Sequence, residues 1–194
     1  MKRCRSIHAL ATLGAVVLHS AHLSYGSDPY PPSPVIENIV FDWGTKETLA
    51  PGSDNWPVTW ADDGHQYTSW GDGGGFGGSN NDGRVSLGVG RVSGDYPSYE
   101  TANVWGGKNT ENTATFGGKS YGILALNGTD MYMWLRQAKQ AGESGHAWLA
   151  RSTNNGASWS LASWGFPTSQ SFNTGTFCQF GKNYGGARDG YVYS

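Results

Sequence analysis

Two aspartates, Asp54 and Asp72, flank a segment that has the pattern of a β-hairpin. The dipeptide Asp63–Gly64 between apolar and aromatic runs is typical of a two-residue hairpin turn. That turn length places Asn55 opposite Asp72, with Asp54 diagonal to Asp72 at about 7–8 Å by cross-strand spacing. Glycoside hydrolysis needs one carboxyl group that protonates the leaving oxygen and a second that attacks or activates water. The pattern therefore predicts Asp54 and Asp72 as a catalytic pair, and the alternative is that each caps a loop or holds a cation structurally.

Basic residues around a second hairpin pattern are predicted to lie at the same end of the fold. That pattern is centred on Asn127–Gly128, with Lys119 before it, Arg136 after it, and Lys139 and Glu143 following. Because Arg and Lys bind carboxylates, we expect Lys119 and Arg136 to hold an acidic sugar. The alternative for Arg136 is a salt bridge within the sheet.

Aromatic rings that can stack on the apolar face of a pyranose form a third group of candidates. Three tryptophans near the same end are expected to be available for stacking: Trp56, Trp70 and Trp105. Four others are expected to pack in the core because of the large area they bury: Trp60, Trp134, Trp148 and Trp159. Trp56 and Trp70 are therefore the predicted sugar-binding aromatics.

Recurring hairpin patterns define the elements that would position these residues. They are centred on Asp63–Gly64, Asn127–Gly128 and Asp189–Gly190. A second pattern carries Arg91 and Arg151, which are 60 residues apart, and supplies another hairpin in each unit. A radial array of four-stranded antiparallel sheets is a β-propeller. The sequence therefore predicts an all-β fold, a β-propeller of four-stranded antiparallel blades with about two and a half blades present.

The predicted blades start near Trp56, Tyr121 and Thr176. Propellers typically have about 4–8 blades, so we expect this chain, which ends at Ser194, to be a truncated product. An open array exposes an unpaired edge, which predicts poor folding in isolation.

Residues 152–159, STNNGASW, resemble the Asp-box of sialidases and related propellers. The pattern of that box is Ser-x-Asp-x-Gly-x-Thr-Trp, on the turn between a blade's third and fourth strands. Asn154 replaces the Asp and Ser158 replaces the Thr, and both retain side-chain hydrogen bonding to the local backbone. The box therefore predicts a structural turn with Trp159 as its packing anchor, and residues 93–95 are a degenerate copy.

Longer stretches are similar to a secreted bacterial family filed as a domain of unknown function. They are residues 53–63, 67–76, 86–88 and 180–189. Members of that family resemble sialidase-like propellers, and some relatives are classed as glycoside hydrolases that act on polysaccharides. The resemblance implies the fold and the substrate class, and it transfers no catalytic residue.

The N-terminus has the pattern of a secretory signal peptide. Basic residues at positions 2, 3 and 5 precede an apolar run over residues 7–18, and Ser24 and Gly26 form a cleavage pair. We expect residues 1–26 to be a signal peptide, residues 27–38 a Pro-rich linker and residues 39–194 the partial propeller; the alternative for the first segment is a core helix. The protein is predicted to be secreted or periplasmic, with no membrane contact after cleavage.

Composition excludes several classes of protein. Of 194 residues, 14% are charged and 13% aromatic, with 30 Gly and 2 Cys, which excludes coiled coils, helix bundles and disulfide scaffolds. A formal net charge of −2 gives no basic surface for nucleic acid. Cys178 is expected to be buried in a strand. The oxygen-rich run at residues 79–83 matches no calcium-loop register and no zinc spacing occurs, so no cofactor is predicted, with calcium left open.

These patterns predict a carbohydrate-active protein whose leading interpretation is glycoside hydrolysis of an extracellular polysaccharide or glycan by Asp54 and Asp72. Three alternatives stay open. They are a carbohydrate-binding propeller without chemistry, a polysaccharide lyase with Tyr121 or His146 as base, and an inactive fragment. The variant Asp54→Asn separates hydrolysis from binding without chemistry. In a hydrolase it abolishes turnover while binding persists, whereas a binding protein has no turnover to abolish.

Overall fold

The computed structural model describes residues 32–138 and 146–194. The predicted signal peptide, Lys139 and Glu143 lie outside these residues. The chain divides into two compact units, Met1–Thr45 and Lys46–Ser194. In the described part of the first unit, a 3-10 helix spans Trp43–Thr45, closed by a hydrogen bond from the Thr45 amide to the Asp42 carbonyl.

The second unit is all-β, as predicted, and contains two four-stranded antiparallel sheets. Each strand pairs with the next along the chain, in the orders β1-β2-β3-β4 and β5-β6-β7-β8. The first sheet comprises β1 (Val58–Trp60), β2 (Gln66–Trp70), β3 (Gly88–Ser93) and β4 (Glu100–Trp105). The second sheet comprises β5 (Lys119–Leu126), β6 (Asp130–Arg136), β7 (His146–Ser152) and β8 (Ser160–Pro167). Short 3-10 helices follow at Thr168–Gln170 and Lys182–Tyr184. Within the described ranges neither sheet closes on itself.

Equivalent residue pairs confirm the repeat that was predicted from the sequence. Tyr67 on β2 pairs with Arg91 on β3, and Tyr132 on β6 pairs with Arg151 on β7. Each arginine also ion-pairs with a carboxylate, at 2.8 Å to Glu111 for Arg91 and at 2.6 Å for Arg151. The two marks of the repeat therefore occupy the same strands of two similar meanders.

The first hairpin turn differs from the prediction. Val58 pairs with Thr68, so the loop contains three residues, at positions 62–64, and of these only Gly64 has a positive φ, 87°. The predicted two-residue turn, and with it the pairing of Asn55 with Asp72, is wrong. In the second sheet Asn127 and its neighbour Gly128 do have positive φ, 55° and 80°, as the Asn-Gly pattern predicts.

The predicted third hairpin is also wrong. Residues 176–193 contain no strand, and the Asp189 carboxylate instead accepts the Tyr191 amide in a local turn without positive φ. One backbone hydrogen bond, 3.0 Å from the Cys178 amide to the Tyr193 carbonyl, joins the two ends of this region. Cys178 is exposed and lies outside any strand, which contradicts its predicted burial.

Two hydrophobic clusters hold the layers together. Side chains from both sheets form the first, whose largest fully buried members include Tyr67, Leu87, Val89, Trp105, Ile123, Met131, Met133 and Leu135. The second lies on the opposite face of the second sheet, where Leu124 and Trp134 pack against Phe177 and Tyr184. Phe177 and Tyr184 belong to residues 172–194, which we call the C-terminal segment. The unit is thus three layers: first sheet, second sheet and C-terminal segment.

Polar contacts fix how the ends of the two sheets align. The buried hydroxyls of Ser69 on β2 and Ser120 on β5 lie 2.6 Å apart. The buried Thr59 hydroxyl accepts the Ala125 amide at 2.9 Å and donates to the Gln179 side chain. These contacts place β1 and β2 of the first sheet beside β5 of the second, so that residues flanking those strands meet at one edge.

Candidate functional site

Asp54 and Asp72 lie at the same end of the first hairpin. Asp54 exchanges two backbone hydrogen bonds with Gly71, at 3.0 and 2.9 Å, in an isolated antiparallel bridge. Asn55 and Asp72 both have left-handed backbone conformations, with φ of 54° and 53°, which Asn and Asp tolerate better than most residues. The register is therefore not the predicted one, yet the two carboxylates still flank a single residue, Gly71.

Asp72 is the electrostatic centre of the site. Its Oδ1 atom ion-pairs with Lys119 at 2.5 Å and with Arg84 at 2.9 Å. The hydrogen bond from Lys119 is the main reason that the pKa of Asp72 is lowered, and the positive charge of Arg84 adds to the effect. Asp72 is therefore ionised at neutral pH, and because its side chain is 32% exposed, the carboxylate can be reached from solvent.

Because Gly71 is a glycine and has no side chain, charged groups from both sheets can approach each other there. A Cβ at this position would lie 3.1 Å from Oδ1 of Asp54 and 3.2 Å from Cδ of Lys119. Any larger residue at 71 would displace one of these groups. The side chains of Asp54 and Lys119 therefore both lie next to the Gly71 backbone.

Arg136 lies beside Lys119 through strand pairing. Lys119 and Arg136 are direct cross-strand partners on β5 and β6, and like charges in such a pair repel each other. Asp72 compensates the charge of Lys119, whereas no carboxylate in the described part of the chain ion-pairs with Arg136. We call Asp54, Asp72, Arg84, Lys119 and Arg136 together the Asp72 cluster. Its formal charge is positive because three cations face two carboxylates.

Sequence reasoning missed Arg84. Its second guanidinium nitrogen donates to Oδ1 of Asn80 at 2.6 Å, which orients Arg84 toward Asp72. Arg84 is the single basic residue between positions 73 and 90, and this isolation was the signal that could have drawn attention to it.

The glycine-rich loop at residues 73–83 is packed against the first sheet. The buried Asn103 on β4 accepts the Phe76 amide at 2.9 Å and donates to the carbonyls of Gly74, Phe76 and Lys108 at 3.3, 3.0 and 2.7 Å. The Lys108 amide donates in turn to the Gly74 carbonyl. The backbone of the loop is thus occupied by internal hydrogen bonds.

The tryptophans divide differently from their predicted roles. Trp70 and Trp105 are 0% and 1% exposed, so neither ring offers a surface to a sugar. Trp56 is half-buried and stacks on Trp70, with ring centroids 5.4 Å apart, and it lines an open depression of about 340 Å³ together with Ser53 and Phe76. Trp60, predicted to pack in the core, is 48% exposed. The predicted burial is confirmed for the remaining three: Trp134, Trp148 and Trp159.

The Asp-box-like turn has the structural role that was predicted. It joins β7 to β8, and Oδ1 of Asn154 accepts the Ser158 amide at 2.9 Å. The Ser152 hydroxyl accepts the amide of Gly156 at 2.9 Å, and the buried indole of Trp159 donates to the Gly156 carbonyl. The substituted residues Asn154 and Ser158 therefore keep the local bonding that defines the turn.

Comparisons of the chain with protein-family models, with curated proteins and with solved structures find no match. The described residues contain no group of three or more His, Cys, Asp or Glu side chains arranged to hold a metal ion. No helix among them is both long and apolar enough to cross a bilayer. The chemistry of the Asp72 cluster must therefore be argued from its own geometry.

Proposed function

We propose that this is a secreted, carbohydrate-active protein of the sialidase-like propeller type, which hydrolyses an extracellular polysaccharide or glycan at the Asp72 cluster. Two antiparallel meanders stacked face to face, as neighbouring propeller blades are, support the fold in this proposal. The observation that carries the function is the presence of two carboxylates with different partners, Asp54 and Asp72, on either side of Gly71.

The partners of the two carboxyl groups assign their roles. Asp72 is held ionised by Lys119 and Arg84, so it acts as the nucleophile or as the base that activates water. Asp54 ion-pairs with no cation among the described residues, so it is the group that carries a proton to the leaving oxygen. Glycosidases likewise assign the acid and its partner by giving two carboxyl groups different environments.

The cations define the class of substrate. Asp72 compensates the charge of Lys119, whereas the charge of Arg136 opposite has no carboxylate partner in the described ranges. A sugar carboxylate on Arg136 would relieve the repulsion between the two cations and form a bidentate pair. The preferred substrate is therefore a glycan that contains uronic acid or another acidic sugar.

Reducing-end release from neutral and acidic polysaccharides by the full chain tests the hydrolase. Asp54→Asn and Asp72→Asn should each lower turnover by at least about a hundredfold, which is the usual contribution of a catalytic acid or base. Asn retains the left-handed backbone of position 72, so the loss can be assigned to the charge. Arg136→Ala should raise KM for acidic glycans more than it lowers kcat.

Asp62→Asn is the matched control, because Asp62 is an exposed aspartate in the turn at the opposite end of the same hairpin. Its turnover should equal that of the unchanged protein. Equal turnover in Asp54→Asn would exclude the assigned acid, and equal turnover in Asp72→Asn would exclude the assigned partner.

A second function, glycan binding without hydrolysis, is favoured by the exposure of Asp54, which lies on an open surface. A glycosidase acid commonly needs burial to keep its proton at neutral pH. Affinity for an acidic glycan that Arg136→Ala weakens, together with no turnover of any polysaccharide, would establish binding in place of hydrolysis. Absence of both would refute a carbohydrate-active role for the cluster.

A further inference from the structure

The C-terminal segment forms a cavity at the other end of the second sheet. The cavity has a volume of about 310 Å³ and lies against the β5–β6 turn at Asn127, with Asn183, Tyr184, Asp189 and Tyr191 among its walls. Lys119 and Arg136 stand at the opposite ends of β5 and β6. This C-terminal cavity is therefore separate from the Asp72 cluster.

The walls of the C-terminal cavity carry polar groups with unused hydrogen-bonding capacity. Oδ1 of Asn183 is buried and has no hydrogen-bond partner in the described part of the chain. The Tyr184 hydroxyl accepts the Tyr193 amide at 3.0 Å, which leaves its own proton to donate. Each oxygen of Asp189 accepts one hydrogen bond, from the Tyr191 amide and from the Tyr193 hydroxyl, and can accept another.

The backbone beneath these groups is strained. Asn183 and Tyr184 are consecutive residues with positive φ, 50° and 60°, and a bulky residue such as Tyr rarely adopts this conformation. Strain of this kind concentrates at ligand-binding and catalytic positions. Both residues line the C-terminal cavity.

The residues that line the cavity indicate the class of ligand that it binds. No Lys, Arg or His is among the described residues that line the cavity, and Asp189 supplies one negative charge, so an anion would be repelled. The ring of Tyr191 is 73% exposed at the rim and offers an aromatic face next to acceptors and a donor. A volume near the lower end of the roughly 300–1,000 Å³ typical of small-molecule sites suits one ring of a sugar chain.

We propose that the C-terminal cavity is a second carbohydrate site, which binds a neutral pyranose residue of a glycan. The Tyr191 ring stacks on the apolar face of the sugar, while Asp189 accepts hydrogen bonds from its hydroxyl groups and rotation of the Asn183 side chain brings its unpaired Oδ1 to the sugar. The site does not depend on the Asp72 cluster, so either can exist without the other.

Titration of the full chain with neutral oligosaccharides tests this site, with cellohexaose, xylohexaose, mannohexaose and chitohexaose as probes. Binding of at least one probe should shift the NMR side-chain amide signals of Asn127 and Asn183, and leave the guanidinium signals of Arg84 and Arg136 in place. Tyr191→Ala should weaken affinity at least about tenfold, because the variant loses the aromatic ring on which the sugar stacks. Asn183→Gly, which keeps the positive φ and removes the amide, should weaken it several-fold.

Trp164→Ala is the matched control, because Trp164 is also an exposed aromatic residue, at 50%, and lies on β8 outside the cavity. It should bind the probe as the unchanged protein does. Because Tyr191 is mostly exposed, Tyr191→Ala should keep the native circular dichroism spectrum, which separates lost binding from lost folding. Unshifted Asn127 and Asn183 signals with all four probes, or full affinity in Tyr191→Ala, would overturn the proposal.

Discussion

The two sheets have the same strand order but are covered by different parts of the chain on the faces turned away from their shared core. On the first sheet, Trp70 lies under Trp56 and the glycine-rich loop at residues 73–83, which connects β2 to β3. On the second sheet, Trp134 lies under the C-terminal segment, in contact with Phe172 and Phe177. One cover is an insertion between neighbouring strands, and the other is a separate stretch of chain.

An amide side chain helps to hold each cover on its sheet, and the two amides differ in burial. Asn103 is 4% exposed and satisfies four backbone groups of the loop region. Gln179 is an exposed residue that bonds Thr59 and the Ile123 carbonyl. Water can replace the bonds of an exposed amide but not those of a buried one. The comparison therefore predicts that the first cover depends much more strongly on its amide than the second.

Asn103→Ala should produce the largest loss, about 3 kcal/mol of unfolding free energy, because it leaves several buried backbone groups of the loop unpaired. Urea denaturation followed by tryptophan fluorescence measures the change. Gln66→Ala removes an exposed amide on β2 that makes no side-chain hydrogen bond in the described chain, and should change stability by less than about 0.5 kcal/mol. A similarly small change for Asn103→Ala would show that the loop is not held by this residue.

The turns between third and fourth strands extend the comparison. In the second sheet, Asn154 organises the turn through Oδ1, which accepts from Ser158 and Ser152. In the first sheet, the Asp95 side chain makes no hydrogen bond among the described residues, and its carbonyl accepts the Ser98 amide. The shared topology therefore does not require the same turn chemistry.

Asn154→Ala should cost about 1.5 kcal/mol: although Asn154 is exposed, its Oδ1 accepts two groups within one local turn, and loss of such a capping acceptor typically costs about 0.5–2 kcal/mol. Asp95→Ala, the equivalent change in the first sheet, should cost less than about 0.5 kcal/mol. Thermal and urea unfolding of both variants measure the difference. Equal losses would mean that the degenerate copy stabilises its turn as well as the box-like sequence does.

Periodicity made the two meanders predictable, because hairpin signals and the spacing of Arg91 and Arg151 are local properties of the sequence. The covers were not predictable in the same way. Burial of Trp70 depends on Trp56 and Asn103, which approach it only in the folded state. The Asp189–Gly190 pattern matched a hairpin, but no strand forms there, although Asp189 makes the same local bonds as Asp63: each carboxylate accepts the amide two residues later and the tyrosine hydroxyl four residues later. Identical dipeptides with the same local bonding thus gave different outcomes, so the dipeptide alone does not specify strand pairing.

The Asp72 cluster was predictable in part. Lys119 was predicted to lie at the same end of the fold as Asp72, and the two residues ion-pair between the sheets at 2.5 Å. The register within the hairpin was wrong because the loop has one residue more than assumed and the pairing shifts again at Gly71. Arg84 follows an irregular loop, whose path no periodic pattern specifies.

Gln179→Ala should cost about 1 kcal/mol, because solvent takes over part of its bonding once the amide is removed. The loss should be local as well as global. Hydrogen exchange of the Cys178 amide, which bonds the Tyr193 carbonyl, should therefore accelerate more than exchange in β6. Gln66→Ala again serves as the control, because the Gln66 side chain is exposed and makes no hydrogen bond in the described chain. A cost equal to that of Asn103→Ala would remove the distinction between the two covers.

Asp72→Asn should have the smallest effect on stability, less than about 1 kcal/mol, because both ion pairs of Asp72 are partly exposed. The lowered pKa of Asp72 fixes the pH dependence. A carboxyl group whose pKa is lower in the folded state stabilises it above the unfolded pKa, near about 4, and loses this contribution as pH falls through the folded pKa. Unfolding free energies of the unchanged protein and Asp72→Asn should thus differ at pH 7 and converge in acid. High salt should shrink the difference at pH 7, since exposed pairs are screened. A difference that persists in acid would show that Asp72 contributes through something other than its charge, and that charge does not join the two sheets at this edge.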